Sequence, residues 1–324
     1  MNILIAGASG FIGQMLFSYL TSKGYNVKVL VRRTPYRVFE VQWNPDSFEI
    51  SQDALLDIDV VINLCGRNIS DWLWTPKFKQ ELYESRIKPT RTLALAISKI
   101  SNRKLTFIST SGVGIYGAQL STPVTEESPL SSGFFPELAI NWEKEAMSAA
   151  FSNHRVAVVR LGVVLGRSGG LLKKLLPIFK LGLGAKMGSG KNWISWVAID
   201  DVCRAFEKIC VTQDLSGPIN LVNPNSYLAD DFYKELGIAV SRPVIFRIPE
   251  FLIRLVFGEF AEETILSSQR VEPKKLLDSG FEFGVKSVRE AGINVCYVRT
   301  FLSAVALLTL TLLCVTDFRL SESW

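Results

Sequence analysis

Residues 1–13 read MNILIAGASGFIG, an apolar run that breaks into three evenly spaced glycines. NILIA, residues 2–6, has the length and composition of a buried strand. Phe11, Met15, Leu16, Tyr19 and Leu20 then recur at helical spacing, and Gly24 follows as a helix stop. Gly7, Gly10 and Gly13 therefore form a G-x-x-G-x-x-G loop between a strand and a helix. Such a loop has to bring backbone N–H groups and a helix N-terminus against a pyrophosphate, and a Cβ would block the approach. A glycine triplet alone says little. Strand, loop and helix in immediate succession make the dinucleotide-binding reading specific.

The pattern continues outward from this unit. NVKVLV (26–31) predicts a second strand, residues 38–43 a third, and the near-continuous apolar run IDVVINL (58–64) a strand buried on both faces. A helical region spans 76–100 with Pro89 inside it, followed by strands at 104–110 (KLTFIST) and 155–165 (RVAVVRLGVVL). Strands alternating with helices predict an α/β fold, a doubly wound parallel sheet of the Rossmann type with its crevice at the carboxyl ends of the strands. Residues 1–166 are read as an NADP-binding domain. Residues 167–283 are read as a smaller substrate-side lobe interleaved with it, with short strands at 218–222 and 243–248, and 284–324 as an atypical tail. The end of the second strand selects the cofactor. An NAD site would place an acid there for the ribose 2′-hydroxyl, whereas this chain has Arg32 and Arg33, which suit the 2′-phosphate of NADP.

Composition excludes several other classes. Of 324 residues 48% are apolar, enough for a sizeable core, and the net charge of +5 is spread along the chain without the dense basic stripe of a nucleic-acid binder. The five cysteines (Cys65, Cys203, Cys210, Cys296, Cys314) show no metal spacing, and His154 is the single histidine, so no metal site and no His-based triad is expected. His154 precedes an apolar run and reads as a surface-loop residue. GAKMGSGKN (184–192) imitates an ATP phosphate loop, but Ala185 and Asn192 stand where that loop needs Gly and Ser or Thr. The cysteine usage and a fold that starts at residue 2 predict a cytoplasmic protein. Residues 300–316, TFLSAVALLTLTLLCVT, carry no charge and reach the lower length limit of a membrane span; a membrane contact and a buried terminal element both stay open.

Several stretches together resemble a known family. GASGFIG (7–13), INLCGRNI (62–69), ESRIKPTRTL (84–93), TSGVGIYG (110–117), RLGVVLG (160–166), LGLGAKMGSGKNWISWVAIDD (181–201) and LSSQRVEPKKLLDSGFEF (266–283) are similar to the extended short-chain dehydrogenase/reductases. The last two point to the atypical branch of epimerase family proteins, also called nucleoside-diphosphate-sugar epimerase-like. The resemblance covers nearly everything up to Phe283. It implies that Gly7, Gly10, Phe11 and Ile12, in the loop that Gly13 completes, lie on the pyrophosphate, and that Arg32 meets the adenosine phosphate. It further implies that Leu64, Cys65 and Gly66 lie beside the adenine-side ribose, that Glu81 and Arg86 approach the cofactor from the long helix, and that Leu161 lies near the nicotinamide. The chain departs from the pattern at Ala198, where the superfamily often has His. After Phe283 it stops resembling the family's short final helix, and an anchor, a buried element and a reading-frame artefact are all compatible with that tail.

The resemblance also raises a chemical difficulty. The superfamily uses a Tyr as proton donor or acceptor and a Lys four residues on. An unperturbed Tyr titrates near ~10, so it needs that cation to work at neutral pH. A Glu often follows the Lys by four, which makes Glu143 in GFFPELAINWEKE (133–145) the register mark. Phe135 then stands at the Tyr position and Ala139 at the Lys position, and neither can exchange a proton. Ser111, matching the substrate-orienting Ser, and Tyr116 remain as catalytic candidates, with Tyr116 either a proton donor or part of the pocket lining. Trp142 and Glu143 read as a packing and surface pattern, and Glu126 and Glu127 as solvated. The chain is thus expected to be an NADP(H)-dependent oxidoreductase or epimerase-like enzyme acting on a carbonyl or hydroxyl, with sugar-nucleotide-like compounds among the candidates. The alternative is a catalytically silent NADP(H)-binding or sensing protein.

Overall fold

The computed structural model describes residues 1–70, 74–118, 122–166 and 169–292. In chain order it contains β1 (Asn2–Ala6), α1 (Phe11–Ser22), β2 (Asn26–Val31), β3 (Glu40–Asn44), β4 (Glu49–Ile50) and β5 (Val60–Asn63). Then come α2 (Pro76–Ser98), β6 (Thr106–Gly112), α3 (Phe134–Met147), β7 (Arg155–Leu161), β8 (Val163–Leu165), α4 (Gly170–Lys180) and β9 (Ala185–Met187). The chain continues through β10 (Trp193–Ile194), β11 (Trp196–Ala198), α5 (Ile199–Val211), β12 (Gly217–Leu221), β13 (Tyr227–Leu228), α6 (Ala229–Ala239), β14 (Phe246–Ile248), α7 (Glu250–Phe257) and α8 (Lys274–Asp278).

The central sheet runs β12-β7-β6-β5-β1-β2-β3-β4, and every pair is parallel except β3–β4. Alternation along β1 divides the core. Ile3 and Ile5 point to one face, where Leu16 and Leu20 of α1 and Val202, Phe206 and Ile209 of α5 cover them. Leu4 and Ala6 point to the other, with Leu93 and Ile97 of α2 and Ala146 of α3. Strand order reverses between β1 and β5, which places the crevice above Ala6 and Asn63. Gly24 ends α1 as expected: with φ at 83° it lets the Tyr25 N–H reach back to the Leu20 carbonyl at 3.2 Å. α2 continues through Pro89 as a single helix.

Four expectations change. The third strand begins at Glu40, two residues late, because Val38 is fully solvent-exposed. The run 155–165 breaks at Gly162, where a Cβ would lie 2.7 Å from the Ser195 carbonyl oxygen, so β8 leaves the sheet and pairs with β11. β12, expected in the smaller lobe, is the edge strand of the central sheet beside β7. His154 is no surface residue. It is 6% exposed, and its Nδ1 accepts the Leu105 N–H at 3.1 Å.

The chain also stays ordered in the fold past Phe283. Asp201, itself fully buried, accepts the N–H groups of Gly284 (2.7 Å) and Val285 (3.1 Å), and Val285, Val288 and Ala291 join the core of the C-terminal lobe. Among the described residues no helix is long and apolar enough to cross a membrane, and the run 300–316 lies outside them.

Candidate active site

At the carboxyl end of β1 the three glycines have different jobs. Gly7, at φ 81°, passes so close to β5 that a Cβ would lie 2.8 Å from the Leu64 carbonyl. At Gly13 a Cβ would lie 2.3 Å from the Gly7 oxygen, so this glycine lets α1 pack on its own loop. At Gly10 the nearest atom would be the Gly7 oxygen at 3.4 Å, leaving that side open to an approaching ligand. α1 starts at Phe11 with no side-chain cap and no acid in its first turn, so the N–H groups of its first turn, including Phe11 and Ile12, face an anion-compatible end. The Phe11 ring is clamped from behind, since a Cβ at Gly166 or Gly169 would fall within 2.5 Å of it.

The two arginines after β2 are not equivalent. Arg33 forms a two-pronged pair with Glu40, at 2.9 and 2.7 Å, and stacks on Tyr36. The Arg33 guanidinium, with the Tyr36 N–H, holds the Glu40 carboxyl down at about 2. Among the described residues no acid pairs with exposed Arg32. Across the crevice the Leu64 N–H bonds the Ala6 carbonyl at 2.9 Å, and the Cys65 N–H bonds Asn63 Oδ1 at 3.1 Å. Burial pushes the Cys65 thiol up to about 12. Gly66 admits the Arg86 side chain, whose guanidinium carbon would be 3.3 Å from a Cβ there.

Arg86 is buried, yet among the described residues it has no carboxylate partner. It bonds the carbonyls of Leu82 (3.0 Å) and Arg67 (2.9 Å) and stacks on Trp142, and burial pulls its pKa down to about 10. Glu81 does not meet Arg86; it pairs with Arg67 at the rim.

Further along the carboxyl edge, Ser111 pairs in register with Arg160 and Gly112 with Leu161 across β6 and β7. The Ser111 hydroxyl is buried and has no hydrogen-bond partner in the described structure. Tyr116 lies beneath the crevice wall at 0% exposure, where its hydroxyl accepts from Arg160 Nη1 (2.7 Å) and donates to Asn220 Oδ1 (2.8 Å). Burial raises its pKa despite the neighbouring guanidinium. Glu143, expected on a helix surface, closes this chain from below, with both carboxylate oxygens 2.8 Å from Arg160. Glu126, expected in solvent, is buried and accepts the N–H groups of Asn220 (3.0 Å) and Lys275 (3.2 Å), whereas Glu127 is exposed beside Lys274. Where a Tyr–Lys pair would stand, Phe135 packs beside Gly114 and 5.2 Å from Trp74, and Ala139 is buried.

The profile of the NAD dependent epimerase/dehydratase family matches residues 3–221, and a domain of unknown function, DUF1731, matches 248–291. The chain belongs to the NAD dependent epimerase/dehydratase family.

An epimerase family protein of Mycobacterium tuberculosis is 39% identical over 289 residues, covering 89% of this chain and 95% of its own length. The mouse epimerase family protein SDR39U1 is 35% identical over 296 residues, covering 90% and 98%. Among solved structures, human SDR39U1 (isoform 2) with NADPH superposes with a TM-score of 0.82 at 29% identity, covering 91% of this chain and 99% of that one. The DUF1731 match runs to residue 291, so family resemblance does not end at Phe283; the Asp201 contacts to Gly284 and Val285 are the physical counterpart. Within this family frame, sequence reasoning missed Arg160, Asn220, Glu126 and Asp201. Arg160 did leave a signal: a lone charge inside the apolar run RVAVVRLGVVL has to find a buried partner.

Proposed function

We propose that the chain binds NADP(H) across the β1–β5 crevice and transfers hydride between it and a carbonyl or hydroxyl carbon of a small-molecule substrate. The observation that carries the cofactor assignment is the division of labour at the end of β2: Glu40 occupies Arg33 and leaves Arg32 for a 2′-phosphate. The uncapped start of α1 and the open side of Gly10 fit the pyrophosphate, while Leu64, Cys65 and Gly66 border the adenosine half. Arg86, buried with no carboxylate partner among the described residues, fits a phosphate or ribose from the far wall, with Glu81 at the rim. Leu161 borders the nicotinamide end. Bound there, the nicotinamide supplies a hydride donor or acceptor at C4.

Ser111 holds the substrate oxygen in this reading, because its buried hydroxyl, at the carboxyl end of β6, has no partner among the described residues. Tyr116 works as a positioning residue: with Arg160 and Asn220 it fixes the turn after β6 against β7 and β12. A second reading, a cofactor-binding protein without turnover, is favoured by Phe135 and Ala139 at the usual proton-transfer positions. The free thiols of Cys65, Cys203 and Cys210 suit a reducing compartment such as the cytoplasm.

Single-turnover oxidation of bound NADPH across a panel of carbonyl compounds separates the two readings. An active carbonyl is expected to lose roughly 100-fold in rate in Ser111→Ala with NADPH affinity retained. No oxidation of NADPH by any compound would favour the silent reading.

A further inference from the structure

Two stretches of the C-terminal lobe, residues 170–191 and 240–257, lie side by side because β9 and β14 pair in parallel, Ala185 with Phe246 and Met187 with Ile248. Both stretches expose large apolar side chains to solvent. Past the end of α4, Leu181 and Leu183 are 76% and 59% exposed, and Ile245 before β14 is 75% exposed. On α7, Phe251, Leu255 and Val256 are 66%, 79% and 56% exposed, and Ile253 is the one residue of that helix that is buried. A single exposed leucine calls for no explanation, but a whole edge of them does.

The charge on the same two stretches is one-sided. Residues 170–191 carry five lysines and no acid, and residues 240–257 carry three arginines against Glu250 alone. Glu250 is already occupied by Arg254 at 3.2 Å, and Asp230 of the adjoining α6 by Arg247 and Lys186. Among the described residues no carboxylate pairs with Lys173, Lys180 or Arg242. Arg242 Nε donates to the Lys180 carbonyl at 3.1 Å, which ties the two stretches together at their cationic end.

Protruding apolar side chains that share an edge with Lys173, Lys180 and Arg242, cations with no carboxylate partner among the described residues, match the boundary between acyl chains and anionic headgroups. We infer that this edge, α7 with α4 and the residues that follow it, docks on an anionic phospholipid surface. Phe251, Leu255 and Leu181 enter the acyl boundary while Lys173, Lys180 and Arg242 meet the headgroup phosphates. A second copy of the chain is a poorer occupant, because a two-fold contact through this face sets its cations against themselves. The uncharged run 300–316 offers the cations nothing to pair with.

The test is co-flotation of the full chain with phosphatidylcholine vesicles made with and without phosphatidylglycerol. Binding is expected only to the anionic vesicles. Lys173→Glu, Lys180→Glu and Arg242→Glu combined should weaken it by about 100-fold or more, and Phe251→Ser with Leu255→Ser should abolish it. These positions are exposed, and an unchanged NADPH titration in each variant reports an intact fold. Absence of binding to anionic vesicles, equal binding to neutral ones, or variants that bind like the parent each overturn the inference; the last result would assign contact to another segment, 300–316 first.

Discussion

Glu143→Gln probes the buried part of the site. The substitution keeps the shape of the side chain and removes its charge. Arg160 is 3% exposed and spends two of its nitrogens on Glu143, at 2.8 Å each, and a third on Tyr116. Gln offers one acceptor where the guanidinium needs two, and turns an NH₂ group toward another donor. Removing one partner of a buried pair leaves an uncompensated charge and costs about 3–5 kcal/mol. The expected fall in melting temperature is on the order of 10 °C. Glu145→Gln, two residues away, breaks a pair with half-exposed Arg91 and is expected to cost about 0–1 kcal/mol. The double substitution Glu143→Leu with Arg160→Met removes both charges and should recover most of the loss. Urea or thermal denaturation of the three variants decides. Equal losses for Glu143→Gln and Glu145→Gln would refute the reading of Glu143 as the buried partner of Arg160.

Two further outcomes follow from local geometry. Gly13→Ala places a Cβ 2.3 Å from the Gly7 oxygen and should destabilise the fold by roughly 1–3 kcal/mol. Gly10→Ala has room and should leave stability within about 0.5 kcal/mol while NADPH binding falls at least tenfold by fluorescence titration; the opposite ranking would misassign the open side of the loop. For pH, Glu40 has a folded pKa held at about 2 by Arg33, below its ordinary value. A depressed acid stabilises the fold above its unfolded pKa, near ~4.3, and loses that contribution as pH falls toward the folded value. Melting scans between pH 6 and pH 2 should therefore show a loss of stability in that window that is smaller in Glu40→Gln, and identical profiles would dissociate Glu40 from it.

The first thirteen residues identify the fold class because they encode local events: a strand, a turn only glycine can make, and the uncapped start of a helix. The parallel sheet followed from apolar runs that make sense only when both faces are covered, as β5 illustrates. What sequence could not deliver depended on partners far along the chain. Glu143 reads as a surface residue until Arg160, on a different element, is brought beneath it by β7. Glu126 looks solvated until β12 and α8 close over it. His154 precedes a strand in a way that suggests a loop, and only the neighbouring start of β6 supplies the N–H that buries it. β12 reads as part of the smaller lobe for a similar reason, since a five-residue apolar strand carries no mark of the sheet it joins. At the site, the glycine loop and Arg32 were legible because phosphate recognition uses backbone and charge. The distinction between Arg32 and Arg33 was not, because it rests on Glu40 folding back onto one of them.

The central claim is that Arg32 waits for a 2′-phosphate. Fluorescence titration of the full chain with NADPH and NADH, repeated on Arg32→Ala, tests it most directly. The account predicts tighter binding of NADPH, and a loss in Arg32→Ala of roughly 10- to 100-fold for NADPH with NADH affinity unchanged, the size of one charge-assisted contact of about 1.5–3 kcal/mol. Equal affinities in the parent chain, or an Arg32→Ala variant that still prefers NADPH undiminished, would contradict it.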